Sequence, residues 1–204
     1  MSLLLSRRRA FGMLCVATLS GVGIFANGVP AYAQDSGVSA VRSFTGQLLR
    51  IGTLPSARER YARLAPLVRQ AFDVSGMTRI AVGSAWSGLS GAEQASIERE
   101  FSSFIAANYA NRLSTTAGTT IEVDPNPSSR GGQKLVKTEF VEANGARTVV
   151  SYAMRGSRIA DVYLDGSISE LATRRAEFTG IVASSGATGL IEQLRQRTAR
   201  FIGG

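Results

Sequence analysis

The hydrophobic and polar positions of the chain follow two periods. Over residues 34–118 apolar side chains recur every three or four positions, which predicts consecutive α-helices. Over residues 119–166 apolar and polar residues alternate, which predicts strands of an antiparallel sheet. Residues 167–204 return to the helical period. The pattern therefore predicts one domain of the α+β class, residues 34–204, in which helices and sheet are segregated.

Prolines divide the first helical region. A first helix is predicted over 37–54 and a second one from Ser56, separated by Pro55. Pro66 falls inside the second helix, where it removes a backbone donor. We therefore expect this helix to kink or to break into two pieces.

Polar residues mark the starts of three further helices. Asp73 is expected to cap a short helix at about 75–83. The sequences SGAE at 90–93 and SISE at 167–170 both have the form of a capping box. A final helix is expected to begin near Gly186.

The sheet region contains about four predicted strands. The first covers 119–123 and is followed by a proline- and glycine-rich loop at 124–132. Asn144-Gly145 lies between two alternating segments, the strongest short-range signal for a hairpin. In the last strand, 158–164, one predicted face is fully apolar, with Ala160, Val162 and Leu164, and the other carries Ile159, Asp161 and Tyr163.

The first 33 residues have the features of an export signal. Basic residues at 7–9 precede an apolar run, and AYA at 31–33 is a cleavage site of small residues. The order RRAF at 8–11 favours the twin-arginine route, with general secretion as the alternative. Cleavage after Ala33 predicts a periplasmic protein that no longer contains Cys15, the single cysteine.

Composition excludes much chemistry. The chain has no histidine, so Ser-His-Asp triads and histidine or cysteine metal cages are unavailable after cleavage, and neither a metal nor a cofactor is expected. The mature chain has twenty basic and fifteen acidic residues, a net charge of +5. Nucleic acid fits poorly with export, whereas an anionic lipid headgroup or membrane surface fits better. A solvated basic face is the alternative.

The helix predicted after SISE carries two adjacent arginines. Arg174 follows Glu170 by four residues and precedes Glu177 by three, which predicts surface ion pairs. Arg175 follows Ile168 by seven residues and is expected on the apolar stripe. There it would snorkel its head outward, meet a structural acceptor such as Asp161, or contact a ligand headgroup.

Four segments follow one another in a fixed order: FDVSGMTRIAVGSAW (72–86), SGAEQASIEREFSSFIAANYANRL (90–113), DVYLDGSISELATRRAEF (161–178) and GLIEQLR (189–195). Together they resemble the MlaC/toluene-tolerance (Ttg2-type) family of periplasmic phospholipid-binding proteins. The segment 161–178 is most similar to the hopanoid-biosynthesis-associated HpnM branch, and it has Arg174 where the family has an aromatic residue.

The resemblance implies a curved antiparallel sheet of the nuclear-transport-factor or cystatin-like type, with a helical subdomain enclosing an apolar pocket. It also implies a monomeric lipid carrier without enzymatic activity, working with membrane-bound components of an ABC-type system on phospholipid or hopanoid. Asp161 and Arg175 are expected at the pocket or the helix junction. The residues expected to contact lipid are Met77, Ile80, Ala81, Trp86, Phe101, Ile105, Tyr109, Tyr152, Val162, Leu164 and Phe178.

Two other functions are compatible with the sequence. An enzyme or accessory factor of hopanoid metabolism would need a buried carboxylate with a raised pKa in the pocket, for which Asp161 is the best candidate. A protein that only docks to membrane partners would need no pocket large enough for an acyl chain.

Overall fold

The computed structural model describes residues 35–113 and 118–203. The export signal expected at 1–33 lies outside the described residues. The helices are α1 (Ser36–Gly52), α2 (Ala57–Ala71), α3 (Val74–Val82), α4 (Gly91–Arg112) and α5 (Glu170–Ile202), with a 3₁₀ helix at Gly83–Gly88. The strands are β1 (Thr120–Val123), β2 (Ser128–Arg130), β3 (Gln133–Val141), β4 (Arg147–Arg155), β5 (Arg158–Leu164) and β6 (Ile168–Ser169).

The predicted fold class, a curved antiparallel sheet with helices, is confirmed. The strands are ordered β1-β3-β4-β5-β6, and the short β2 also pairs with β3. Every pairing between these strands is antiparallel. The segment 124–132, expected to be a loop, contains β2, so that expectation is wrong. Gly131 and Gly132 adopt positive φ and turn the chain so that β2 can pair with β3.

Local capping and turn chemistry match most of the sequence-based expectations. Ser90 Oγ accepts from the Glu93 amide at 3.3 Å, and the Glu93 carboxylate accepts from the Ser90 amide at 2.8 Å, which completes the capping box of α4. Asp73 caps α3 by accepting from the Gly76 amide at 3.1 Å. At the tip of the β3–β4 hairpin, Gly145 has a φ of 84°, as an Asn-Gly turn requires.

The break expected at Pro66 does not occur. Helix α2 runs from Ala57 to Ala71 with Pro66 inside it. The residues around the proline, Leu64, Leu67 and Val68, are buried in the core. Packing of this apolar face maintains the helix although one backbone hydrogen bond is lost.

Helix α5 begins two residues later than SISE predicts. Ile168 and Ser169 form β6 against β5, and the helix is capped by Ser169 Oγ, which accepts from the Ala172 amide at 2.9 Å. Pairing of Ile168 with Leu164 takes these residues out of the helix, so the expected cap at Ser167 is wrong. The helix is interrupted at Gly186, close to the expected start of the last helix.

A β-bulge changes the faces of β5. Tyr152 is paired with Val162 and Ala153 with Asp161, but Met154 is paired with Ile159. Ala160 is thus an extra residue that shifts the alternation. Ile159 consequently shares the face of Val162, and its predicted place on the face of Asp161 is wrong.

The helices cover one face of the sheet, here called the inner face. One continuous core joins buried side chains of α1–α5 to those of the inner face, among them Val136, Tyr152, Ile159 and Val162. This layer between helices and sheet contains the cavity described next.

Candidate functional site

A cavity of about 280 Å³ opens between α4, the first turns of α5 and the inner face of the sheet. With the solvent at its opening included, the empty space amounts to about 1250 Å³. Ligand pockets typically occupy about 300–1,000 Å³ and are mainly apolar. The apolar lining consists of Leu48, Phe72, Met77, Phe101, Phe104, Ile105, Tyr109, Leu113, Phe140, Val150, Val162, Leu164 and Leu171.

The remaining lining residues are polar and more exposed, and we call them the mouth. They come from the end of α4, from the strand ends nearest to it and from the start of α5. The mouth consists of Asn108, Arg112, Thr119, Glu142, Thr148, Glu170 and Arg174. The site thus combines an apolar interior with a polar opening.

Part of the cavity wall belongs to an aromatic cluster. Phe44 packs edge-on against Phe72, Tyr109 and Tyr152, with ring centroids at 5.2, 5.5 and 6.0 Å. Phe72 and Tyr109, which line the cavity, are themselves 6.0 Å apart. Edge-to-face pairs at these distances are favourable beyond their buried area, so these contacts stabilise this part of the wall.

The cluster contains two buried phenols. Burial raises the pKa of Tyr109 and that of Tyr152 well above the ordinary value, and the two groups also influence each other. Both phenols therefore stay neutral. They do not supply a charged group to the cavity.

Four charged side chains form a network that begins at the mouth. Arg174 donates to the carboxylates of Glu170 at 3.3 Å and Glu177 at 2.9 Å, and its guanidinium lies 5.1 Å from the ring centre of Phe104. Glu170 also faces Arg112 at 3.8 Å. Charges of both signs therefore surround the opening, with Arg174 held over an aromatic ring of the cavity wall.

Glu177 extends this network away from the mouth. It pairs with Arg174 and with Arg197, which lies beyond the interruption at Gly186. Partial burial by itself raises the pKa of the Glu177 carboxyl, but the pairs with Arg197 and Arg174 outweigh it, so the pKa lies below the ordinary value. The ion pairs therefore join the two parts of α5.

The structure brings six of the eleven residues predicted to contact lipid to the cavity wall and places five elsewhere. Ala81, Trp86, Tyr152 and Phe178 are buried in the core without lining the cavity. Ile80 is 39% exposed and does not line the cavity. The six lining residues are Met77, Phe101, Ile105, Tyr109, Val162 and Leu164.

Arg174 lines the cavity, although the sequence predicted only ion pairs for it. Arg175 is exposed and does not line the cavity, so of the three arrangements expected for it the outward head fits the structure. The predicted ion pairs of Arg174 with Glu170 and Glu177 are present.

Asp161 lies at the helix junction and does not line the cavity. One carboxylate oxygen accepts from the amides of Val162 at 2.7 Å and Leu171 at 3.1 Å. The other accepts from Ser169 Oγ at 2.6 Å. The buried carboxylate thus holds the start of α5 against β5, and it is not a pocket carboxylate.

Several lining residues were missed in the sequence. Phe104 lies on the apolar stripe of α4, which is a detectable signal, whereas Phe72 and Phe140 come from segments where the pattern indicates only a buried or half-buried face. Arg112 and Glu170 meet across the gap between two helices. No sequence signal specifies such a pair.

Among the residues described, no group of three or more histidine, cysteine, aspartate or glutamate side chains is placed to hold a metal ion. Within 35–113 and 118–203, no helix combines the length with the hydropathy that crossing a membrane requires.

The fold and the cavity together define an α+β protein with an enclosed apolar site. Its residues 49–196 match the family model described as MlaC protein, and the chain therefore belongs to the MlaC family. This confirms the resemblance seen in the sequence, although it does not distinguish the HpnM branch. A comparison with curated proteins finds no match.

A solved structure supports the same fold. The chain is similar to a phospholipid-binding protein from Ralstonia solanacearum, solved in complex with a phospholipid. The two structures superpose with a TM-score of 0.67 at 22% sequence identity, over 81% of this chain and 98% of the other.

Proposed function

We propose that the protein is a lipid carrier that holds lipid tails in the cavity and leaves the headgroup at the mouth. The observation that carries the proposal is the apolar cavity with a polar opening in a chain of the MlaC family. The phospholipid in the similar structure from Ralstonia solanacearum supports the same class of ligand.

The apolar lining supplies the driving force for tail binding. Each methylene removed from water contributes about 0.8 kcal/mol. A tail in contact with side chains such as Phe101, Ile105 and Val162 is therefore strongly favoured over one in solvent. The neutral phenols of Tyr109 and Tyr152 add no charge that a tail would have to desolvate.

The mouth suits a polar headgroup. Arg112 and Arg174 provide donors for a phosphate, and Glu142 and Glu170 provide acceptors for a cationic or hydroxylated group. Because charges of both signs surround the opening, we expect tolerance of several headgroups.

The setting proposed for this activity is the periplasm. An export signal at 1–33 is expected from the sequence, and the family resemblance implies membrane-bound components of an ABC-type lipid trafficking system as partners. A water-filled compartment between two membranes requires a protein that shields lipid tails during transfer. Phospholipid or hopanoid is the proposed cargo, carried by a monomer.

An enzymatic function has less support. It would need a carboxylate inside the pocket, and Asp161, the best candidate from the sequence, accepts three structural hydrogen bonds away from the cavity. The carboxylates that line the site, Glu142 and Glu170, are at the mouth. A protein that only docks to partners would have no use for the apolar cavity.

A pair of valines on β4 provides the test. Val150 lines the cavity opposite Leu164, and the preceding residue, Val149, lies on the other face of the strand opposite Glu139. Val150→Phe fills part of the cavity and is expected to displace about two methylenes of bound tail, which corresponds to roughly tenfold weaker uptake. Val149→Phe adds the same volume outside and is expected to leave uptake unchanged.

Uptake is measured with a fluorescently labelled phospholipid presented in detergent to the purified mature chain, together with mass spectrometry of co-purified lipid. Equal uptake by Val150→Phe and the wild type would contradict the cavity as the binding site. Repeated lipid-free preparations without uptake would contradict a carrier. The chemical identity of the co-purified lipid also shows whether the cargo is a phospholipid or a hopanoid.

A further inference from the structure

The net charge of the protein is concentrated in its first three helices. Residues 36–82 contain seven arginines against only Glu59 and Asp73, a net charge of +5. Residues 83–203 contain thirteen basic and twelve acidic residues and are close to neutral. The sheet, α4 and α5 balance their charges internally, whereas α1–α3 do not.

Most of these arginines are exposed and lack an acidic partner. Arg60 is buried, and the others make no ion pair with any residue in the described ranges. By contrast, nine basic residues between 99 and 197 each contact a carboxylate. The exposed group consists of Arg42, Arg50, Arg58, Arg63, Arg69 and Arg79.

Two of the exposed arginines flank the turn between α1 and α2, Arg50 before it and Arg58 after it. Arg60 donates to the carbonyls of Leu54 and Ala110, at 2.7 Å each, and so fixes the α1–α2 turn to the last turns of α4. These turns carry Asn108 and Arg112 of the mouth. We call Arg50 and Arg58 the basic pair.

Helix stability does not explain the position of Arg58. It is in the first turn of α2, where the helix dipole disfavours a positive charge. Glu59, in the same turn, carries the negative charge that the dipole favours there. A cation exposed at this position, without an ion pair to the described residues, slightly disfavours the helix and is free to contact an anionic surface.

We propose that the basic pair docks the mouth of the cavity on an anionic phospholipid surface. Arginine binds phosphate oxygens through two parallel hydrogen bonds, and exposed cations are attracted to anionic headgroups over about a Debye length. The contact orients the opening toward the bilayer, where a tail can pass between membrane and cavity. The role in lipid exchange rests on the proposed carrier function, but docking itself does not.

The test is co-sedimentation of the purified mature chain with vesicles of phosphatidylcholine alone or mixed with phosphatidylglycerol. The double variant Arg50→Gln/Arg58→Gln removes the basic pair. Arg69→Gln/Arg79→Gln is the matched control, because it removes two exposed, unpaired arginines of the same helical layer, away from the α1–α2 turn. Thermal unfolding verifies that both variants fold.

The expected result is binding to the anionic vesicles only, weakened at least fivefold in Arg50→Gln/Arg58→Gln and less than twofold in the control. Binding should also disappear at about 1 M salt, where the Debye length falls to about 3 Å. Equal weakening in both variants overturns the proposal, because net charge alone then explains binding. Absence of binding to anionic vesicles also overturns the proposal. An acidic protein would then be the candidate partner of the basic pair.

Uptake of labelled lipid from detergent distinguishes a failure of docking from a failure of the carrier function. The proposal expects wild-type uptake in Arg50→Gln/Arg58→Gln, because neither residue lines the cavity. Loss of uptake in this assay would overturn a separate docking role.

Discussion

At the scale of single residues, Arg60 shows how a charge can organise the core. Its side chain is only 5% exposed, and both of its hydrogen bonds go to backbone carbonyls. Leu54 ends the α1 region, and Ala110 lies near the end of α4, where carbonyls lack partners within the helix. The sequence does not predict this role of Arg60, because periodicity does not reveal which carbonyls a neighbouring helix presents.

We expect Arg60→Met to destabilise the protein by about 3 kcal/mol, because hydrogen bonds from a charged donor contribute about 1.5–3 kcal/mol each and the two carbonyls lose their donor. Methionine keeps most of the apolar stem. Urea unfolding monitored by circular dichroism measures the change. The control Arg63→Met replaces an exposed arginine of the same helix and should change stability by less than about 0.5 kcal/mol. A similar loss in both variants would contradict the role of Arg60.

Arg174 and Arg175 illustrate the limit of residue-level prediction. The ion pairs of Arg174 follow from spacing within one helix and were predicted correctly. Its place over Phe104 depends on where α5 begins and on its packing against α4. A helical pattern defines angles between residues only. Arg174 and Arg175 both flank the buried stripe of Leu171 and Phe178, so helix packing decides which of them reaches the cavity.

At the scale of elements, α5 combines two helices around one glycine. Gly186 has φ 65° and ψ −169°, a conformation that is essentially restricted to glycine. The residues on both sides remain helical, and Leu171 and Phe178 before the glycine and Leu190 and Leu194 after it are buried. The interruption therefore lets both parts of α5 pack on the core.

We expect Gly186→Ala to destabilise the protein by about 2 kcal/mol, because alanine disfavours this backbone conformation. A methyl group at this position meets no atom within 4 Å, so a steric clash would not explain the loss. Gly180→Ala is the matched control in the same element, where a methyl group also has open space. It should stabilise the helix by about 0.5 to 1 kcal/mol. Thermal unfolding measures the change in stability of each variant relative to the wild type. A change of the same sign in both variants would contradict the explanation.

Element starts and ends were largely predictable, because capping is local. Asp73 and the Ser90–Glu93 box cap the predicted helices. The misplaced start of α5 has a nonlocal cause, since β6 forms by pairing with β5 and Asp161 accepts from the Leu171 amide. The bulge at Ala160 is also decided by pairing between strands.

At the scale of the whole molecule, carboxylates with lowered pKa values connect separate parts of the chain. The pKa of Asp35 is lowered, mainly by Lys134 of β3, and that of Glu139 is lowered by Lys137 and Arg147. The pKa of Glu93 is lowered by Ser90 in the capping box. The pKa of Glu177 is lowered in the same direction by its two arginines, against the effect of burial.

We therefore expect stability to fall in acid. A carboxyl whose pKa is lower in the folded state binds fewer protons there than in the unfolded chain, so its contribution is complete above the unfolded value and is lost as pH falls through the folded value. The ordinary values are 3.8 for Asp35 and 4.5 for Glu177, which places the loss below about pH 5. Because the chain has no histidine, stability should change little between about pH 5.5 and pH 8.

Urea midpoints from about pH 8 to about pH 3 measure this dependence. A stability that rises on acidification below about pH 5 would contradict the assigned directions. The variant Glu177→Gln should lose slightly less stability than the wild type as the pH falls below about 5, because one of the four carboxyls no longer titrates. The exposed Glu192, which makes no ion pair with the described residues, is the control position for the same substitution.

The sequence by itself determined the order of helices and strands, most caps, the β3–β4 turn and the family, because these depend on neighbouring residues or on segments in a fixed order. The tertiary structure decided which apolar residues line the cavity and which only fill the core. It also placed Arg174 at the mouth, Asp161 under the start of α5 and the α1–α2 turn against the last turns of α4. Periodicity shows that a face is buried, but the neighbour it meets depends on strand pairing and helix packing between residues far apart in the chain.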